Sequence, residues 1–130
     1  MKKEIVMLVL CRRVIAKLLI EHIKNNMMMD AFDLYEYDKA KRIATVRQPA
    51  LALVEIPERY DNPALDALDV CKDIKEACPN CKIMLMCPEH DKKSVESCID
   101  ALKKGQIDDY VFYDTSPEYL TSKLESLLPA

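Results

Sequence analysis

The chain has 130 residues, of which 50% are hydrophobic and 32% are charged, a composition typical of one soluble globular domain covering residues 1–130. The formal net charge is -3 and the basic residues are scattered along the chain, so no nucleic-acid binding is predicted. The longest strongly apolar run, Ile5 to Leu10, is too short to span a bilayer, and no membrane association is expected.

The six cysteines and the single glycine further limit the class of protein to which the chain can belong. No secretory signal precedes the first apolar run, so the six thiols are expected to be reduced, as in a cytoplasmic protein. Gly105 is the one glycine, which excludes a glycine-rich phosphate-binding loop. No cofactor is therefore expected.

Short apolar runs alternate with helical stripes, which predicts β-α units around a parallel sheet. The first strand is predicted at Ile5 to Leu10 and the second at about Met28 to Leu34, where two aspartates favour an edge position. The helix between them is expected to bury a stripe formed by Ile15, Leu18, Leu19 and Ile23. Asp38 is predicted to cap a second helix that closes before Pro49. Its buried side is Ala40, Ile43 and Ala44.

The middle of the chain repeats the same pattern. A third strand is predicted at Leu51 to Ile56, and Asn62-Pro63 is predicted to begin the third helix. That helix is expected to bury Ala67, Val70, Cys71, Ile74 and Cys78. Pro79 ends it, and Ile83 to Met86 is predicted as the fourth strand.

The last two β-α units are recognised by the residues at which their helices begin or end. The fourth helix is predicted to end at Gly105, since glycine takes a positive φ at low cost. Its apolar face is Val95, Cys98, Ile99 and Leu102. Tyr110 to Tyr113 is predicted as the fifth strand, and Ser116-Pro117 as the start of the last helix. The buried stripe of that helix is Leu120, Leu124, Leu127 and Leu128.

Three segments resemble the receiver domains of bacterial response regulators. They are IAKLLI (15–20) after the first strand, CKDIKEACPNCKIMLM (71–86) over the third helix and fourth strand, and ALKKGQIDDYVFYD (101–114) before the last helix. With five alternating units, the resemblance covers essentially the whole chain. It implies a doubly wound, flavodoxin-like α/β fold with strand order 2-1-3-4-5, helices on both faces, and a site at the carboxyl ends of strands one and three.

The resemblance also implies the position of a phosphorylation pocket, where this sequence departs from the family pattern. The two acidic magnesium ligands correspond to Leu10 and Cys11, which supply no hard oxygen. The phosphoacceptor aspartate corresponds to Glu55, the hydroxyl residue of strand four to Cys87, and the lysine of strand five to Tyr113. Glu55 would then be buried without a cation, which favours its neutral form. We therefore expect a pseudo-receiver that holds no metal and takes no phosphate.

The remaining function implied by the resemblance is protein binding. In this family the face formed by helix four, strand five and helix five is the usual partner surface, and Tyr110 matches its switch aromatic. We expect a non-enzymatic signalling domain of the two-component phosphorelay class that binds a sensor kinase, a regulator or a second copy of itself. The expected contact residues are Tyr110, Tyr113, Glu118 and Leu120.

Three other interpretations stay open. The first is a working receiver that is phosphorylated on Glu55 or a nearby acid. The second is that the chain is the N-terminal part of a longer regulator. The third is a flavodoxin-like enzyme or cofactor binder, for which the sequence offers neither a phosphate loop nor an evident base.

Several smaller motifs are expected to be structural. Cys78 to Cys81 has the CxxC spacing of redox and zinc sites, but the pair falls where a helix ends, so hydrophobic packing with one surface thiol in the loop is expected. His22 and His90 are isolated and expected at the surface. Met27 to Met29 is expected to pack in the core at the start of a strand.

Overall fold

Five strands form the central sheet. The computed structural model describes residues 4–57 and 63–129, the second range with side chains from residue 66 onward. The strands are β1 (Ile5–Val9), β2 (Asp30–Leu34), β3 (Leu51–Glu55), β4 (Lys82–Cys87) and β5 (Asp109–Phe112). Every neighbouring pair is parallel, and the order across the sheet is β2-β1-β3-β4-β5. The flavodoxin-like order predicted from the sequence is confirmed.

Helices cover both faces of the sheet, as predicted. The helices of the described residues are α1 (Arg13–Asn26), α2 (Ala40–Arg47), α3 (Pro63–Ala77), α4 (Lys92–Lys103) and α5 (Pro117–Ser126). The buried side chains divide into two clusters, one beneath α1 and α5 and the other beneath α2, α3 and α4. No helix in the described part of the chain is long and apolar enough to cross a membrane.

The three central strands are apolar because both of their faces are covered. Side chains in β1, β3 and β4 are buried almost throughout. Successive residues point to opposite faces, so Leu53 packs in the α1–α5 cluster and Val54 in the other cluster. The same alternation directs Glu55, the last residue of β3, toward the α1–α5 face.

The predicted signals for helix starts are largely confirmed. The hydroxyl oxygen of Ser116 accepts a hydrogen bond from the backbone N–H of Tyr119 at 3.2 Å, and Pro117 occupies the first helical position of α5. The third helix begins at Pro63. The predicted capping residue Asn62 lies outside the described residues.

Three predictions about α1, α2 and α4 are wrong. Asp38 does not cap α2, because the chain first forms a 3₁₀ turn at Tyr37–Lys39, and the capping position falls on Lys39. Leu18 is 54% exposed, and Ile99 and Leu102 are 38% exposed, rather than buried. Each lies about 100° around its helix from the residues that touch the sheet, so it flanks the buried stripe instead of joining it.

Positive φ angles mark three turns between helices and strands in the described part of the chain, and Gln48, which has φ +46°, ends α2 before β3. Gly105 has φ +74° and follows Lys104, the residue that caps the C-terminus of α4, which confirms its predicted role at the end of that helix. Met28 has φ +56° in the turn between α1 and β2, and its side chain is 72% exposed. The prediction that Met28 packs in the core is therefore wrong, whereas Met27 and Met29 do contact the α1–α5 cluster.

Candidate functional site at the carboxyl ends of the strands

A buried carboxylate lies at the carboxyl ends of the central strands. Glu55 ends β3, which lies between β1 and β4, and its side chain is fully buried. The carboxyl ends of parallel strands meet at one edge of the sheet, where ligand sites of doubly wound folds are found. Glu55 is thus at the position that the sequence predicted for the centre of the pocket.

Both oxygens of the Glu55 carboxylate are engaged by the loop that follows β1. Oε1 accepts hydrogen bonds from the backbone N–H groups of Cys11 at 3.0 Å and Arg12 at 3.3 Å. Oε2 forms an ion pair with Nε of Arg12. Because α1 begins at Arg13, the carboxylate also lies at a helix N-terminus, which favours negative charge.

Arg12 supplies a cation beside Glu55, which the sequence had not led us to expect. Its guanidinium group lies over the ring of Tyr113, 4.1 Å from the ring centre, and one terminal nitrogen donates to the sulfur of Met86 at 3.2 Å. The expectation of a carboxylate without a cation is therefore wrong. No local signal in the sequence marks this contact, because Arg12 and Glu55 are 43 positions apart.

Two tyrosine hydroxyl groups hold the chain just after β3. Tyr37 donates a hydrogen bond to the backbone carbonyl oxygen of Glu55 at 2.6 Å. Tyr113 donates to the carbonyl oxygen of Ile56. Side chains from the segments that follow β1, β2 and β5 are thus all directed at the end of β3.

The residues at the two metal-ligand positions do not fit a magnesium ion. Leu10 is fully buried in the α1–α5 cluster. Partial burial and the nearby Glu55 carboxylate raise the pKa of the Cys11 thiol to about 11, so its sulfur is neutral near pH 7. Magnesium requires oxygen ligands, whereas the Arg12 guanidinium already neutralises the buried carboxylate of Glu55. We derive no metal-dependent step from this site.

Cys87 is not brought to the pocket. It ends β4, but its side chain is buried in the cluster beneath α2, α3 and α4, and its thiol lies 3.6 Å from the carbonyl oxygen of Pro88. Glu55 pairs in register with Met86, one residue earlier. Since neighbouring residues of a strand face opposite sides, Met86 and not Cys87 shares the α1–α5 face with Glu55.

The predicted partner surface contains a group of exposed apolar side chains. On the described part of α4, β5 and α5, the large apolar residues at the surface are Ile99, Leu102, Phe112 and Tyr119. We call this the α4–β5–α5 face. Tyr110 is half-buried beside it, with its ring edge-on to Phe112 at 5.9 Å, and Glu118 is exposed in the first turn of α5.

Leu120 does not belong to that face. Its side chain is 1% exposed and packs in the α1–α5 cluster together with Leu124. The prediction of Leu120 as a contact residue is therefore wrong, because the buried stripe of α5 runs through it. Tyr119, one residue earlier, is 57% exposed and occupies the surface position instead.

The cysteine and histidine motifs show no second site. Within the described residues, no group of three or more His, Cys, Asp or Glu side chains is arranged to hold a metal ion. Cys78 and Cys81 are both buried, and the exposed thiol is that of Cys11, so the expected surface thiol in the CxxC loop is wrong. His22 is half-buried beside Asn26 on α1, and His90 is exposed.

Comparison with known proteins relates the chain to receiver domains through its fold. The sequence matches no protein-family model and no curated protein. Among solved structures, an adenylate cyclase from Rhodopirellula baltica is similar with a TM-score of 0.80 and 10% identity over 97% of this chain and 87% of that one. A CheY-like response regulator receiver domain protein from Methanospirillum hungatei JF-1 has a TM-score of 0.77 and 12% identity over 97% and 94% of the two chains.

A third similar structure is the N-terminal domain of the nisin resistance regulator NsrR, a lantibiotic response regulator. It has a TM-score of 0.77 and 20% identity over 98% of this chain and all of that one. At these identities the comparisons establish the fold. This chain has the flavodoxin-like fold of response regulator receiver domains, as the resemblance in its sequence implied.

Proposed function

We propose that this chain is a cytoplasmic signalling domain of the two-component phosphorelay class that acts by binding proteins and takes no phosphoryl group. The observation that carries the proposal is the ion pair between Arg12 and the buried carboxylate of Glu55. It occupies the position at which a receiver domain would be phosphorylated.

Phosphoryl transfer to Glu55 is opposed by the contacts of its carboxylate. An acceptor oxygen has to reach the phosphorus in line with the leaving group, and a metal ion has to neutralise the developing charge. In this chain both carboxylate oxygens already accept hydrogen bonds, and the side chain is fully buried. Breaking the Arg12 contact would leave an unpaired buried charge, which is costly.

Protein binding is supported by the α4–β5–α5 face. Ile99, Leu102, Phe112 and Tyr119 expose apolar surface there on two helices and the edge strand β5. Exposed apolar patches of this kind mark interaction sites in soluble proteins. We infer that partners, whether a sensor kinase, a regulator or a second copy of the chain, bind through this face without catalysis by the domain.

The test is incubation of the purified chain with acetyl phosphate and Mg²⁺, followed by intact-mass measurement. A working receiver gains one phosphoryl group, about 80 Da, and we expect no gain. The variant Glu55→Gln is the matched control, because it cannot form an acyl phosphate at this position. A gain in the unaltered chain that is lost in Glu55→Gln would refute the proposal.

A further inference from the structure

Five of the six cysteines lie in the core cluster beneath α2, α3 and α4. All five are free thiols, and they are Cys71, Cys78, Cys81, Cys87 and Cys98. Two of these thiols are in direct contact, because Cys98 on α4 forms a side-chain hydrogen bond with Cys87 at the end of β4. A bond between the two sulfurs would join the end of this strand to the middle of the helix that follows it.

We propose that Cys87 and Cys98 form a redox-active dithiol, which hydrogen peroxide oxidises to a disulfide. The inference goes beyond the proposed function, because both thiols are buried beneath α2, α3 and α4, whereas the side chain of Glu55 is directed toward the other face of the sheet. The pair gives the chain a response to oxidants that requires neither phosphoryl transfer nor a metal ion.

The direction of the hydrogen bonds makes the two thiols unequal. The thiol of Cys87 donates to the carbonyl oxygen of Pro88 at 3.6 Å, so its sulfur is the acceptor for the thiol of Cys98. A hydrogen bond donated to the sulfur favours the thiolate and lowers the pKa of Cys87. The same hydrogen bond, together with burial, raises the pKa of Cys98. Cys87 is therefore the nucleophile, since the thiolate is the reactive form.

The other buried thiols of the cluster are less suited to this chemistry. Burial raises the pKa of Cys71, and it raises the pKa of Cys81 to about 12. Both thiols are therefore protonated at neutral pH and react slowly with peroxides. The thiol of Cys78 donates to the carbonyl oxygen of Pro49 at 3.4 Å. The CxxC spacing of Cys78 and Cys81 is thus not where we place the redox chemistry.

Burial restricts which oxidants can reach the pair. Cys87 and Cys98 are both 0% exposed, so the oxidant has to be small. Cys87 is the last residue of β4 and directly precedes the connection 88–91, in which the side chain of His90 is 97% exposed. Surface connections open locally at a lower free energy than core strands and helices. Hydrogen peroxide is small enough to enter by such an opening.

The oxidation has two steps. The Cys87 thiolate attacks one oxygen of hydrogen peroxide and breaks the O–O bond, which leaves a sulfenic acid on Cys87 and releases hydroxide. The hydroxide takes up the proton that Cys87 had lost and becomes water. The sulfur of Cys98 then attacks the sulfur of Cys87, and the hydroxyl group leaves with the Cys98 proton as a second water. Two electrons pass from the thiols to the peroxide, and a dithiol reductant reverses the change.

The test is peptide mapping by mass spectrometry of the folded chain after treatment with hydrogen peroxide and alkylation of the remaining thiols. Trypsin cleaves after Lys92 and Lys93, so Cys87 and Cys98 fall on the separate peptides 83–92 and 94–103. We expect these peptides to be joined, with a mass about 2 Da below the sum of the two, and to separate again in dithiothreitol.

Serine variants distinguish the roles of the two thiols. Cys98→Ser keeps a hydrogen-bond donor for the sulfur of Cys87 but cannot form the disulfide. We expect Cys87 in this variant to stop at the sulfenic acid, about 16 Da heavier and trapped by dimedone. In Cys87→Ser, Cys98 should remain a thiol. Cys71→Ser is the matched control, because the thiol of Cys71 lies beside Cys98 in the same cluster, and it should leave the joined peptides unchanged.

Circular dichroism establishes that each variant is folded, and the unaltered chain tests the proposal without any substitution. Three results with the unaltered chain would overturn it. The first is that peptides 83–92 and 94–103 are not joined after peroxide treatment. The second is that they are joined only when the chain is unfolded in urea, which would mean that the native contact does not direct the bond. The third is a disulfide within peptide 76–82, which contains both Cys78 and Cys81, in place of the predicted one.

Discussion

At the scale of single residues, two features determine the chemistry of the pocket. One is the length of the Glu55 side chain, which has one methylene group more than an aspartate, and the other is the neighbouring Arg12 side chain. Glu55 reaches the backbone N–H groups of Cys11 and Arg12, and the guanidinium of Arg12 balances its charge. The carboxylate and guanidinium form an internal ion pair at the carboxyl ends of the central strands. Such a pair stabilises the fold only while both partners are present.

Cys11 provides a chemical probe of this ion pair. Its pKa of about 11, caused by partial burial and by the Glu55 carboxylate, leaves about one thiol in a thousand ionised at pH 8. We expect iodoacetamide to alkylate it about 100-fold more slowly than a free cysteine. Glu55→Gln removes the carboxylate charge and should speed the reaction several-fold.

Peptide mapping by mass spectrometry measures this rate at Cys11 separately from the other cysteines. Those five thiols are buried in the native structure, so they serve as internal controls for unfolding. A Cys11 rate equal to that of a free cysteine would show that the thiol is neither partly buried nor beside the Glu55 carboxylate.

At the scale of elements, Asp108 joins α3, β4 and the start of β5. Its Oδ2 accepts the backbone N–H of Ile83 at 2.8 Å and the ammonium of Lys75 at 3.1 Å. The adjacent Asp109 instead forms a partly exposed ion pair with Lys123 at 3.0 Å. The two aspartates have the same side chain but differ in what their loss would leave unpaired.

We expect Asp108→Ala to lower the free energy of unfolding by about 1–3 kcal/mol, because the N–H of the buried Ile83 loses its acceptor. Asp109→Ala should cost about 0–1 kcal/mol, as is typical of partly exposed ion pairs. Urea unfolding followed by circular dichroism measures both values. Equal losses in the two variants would contradict the assigned role of Asp108.

At the scale of the whole molecule, four of the eight large apolar residues that are exposed in the described part of the chain lie on the α4–β5–α5 face. They are Ile99 and Leu102 on α4, Phe112 on β5 and Tyr119 on α5. An isologous dimer would bury this surface on both copies at once. We expect light scattering to report more than the mass of one chain at high protein concentration.

The double variant Ile99→Glu with Tyr119→Glu should return the mass to that of a single chain, because it introduces like charges at the contact. Leu18→Glu on α1 is the control, since Leu18 is 54% exposed on a helix that belongs to neither side of this face. Dimers that survive the double variant would place self-association elsewhere.

The sequence by itself determined the order and type of the five strands and five helices. Apolar runs and stripes predicted five strands and five helices because burial on both faces of a parallel sheet requires that pattern. The signals of Ser116-Pro117 and Gly105 predicted two element ends correctly, since they act through local backbone geometry.

Only the tertiary structure decided which side chains meet in the pocket. Arg12 and Glu55 are 43 positions apart, and the alternation at the end of β4 selected Met86 instead of Cys87. The exposure of Leu18, Ile99 and Leu102 depended in the same way on how α1 and α4 are rotated against the sheet. These outcomes follow from strand register and helix rotation, which arise from contacts between distant segments and leave no local signal in the sequence.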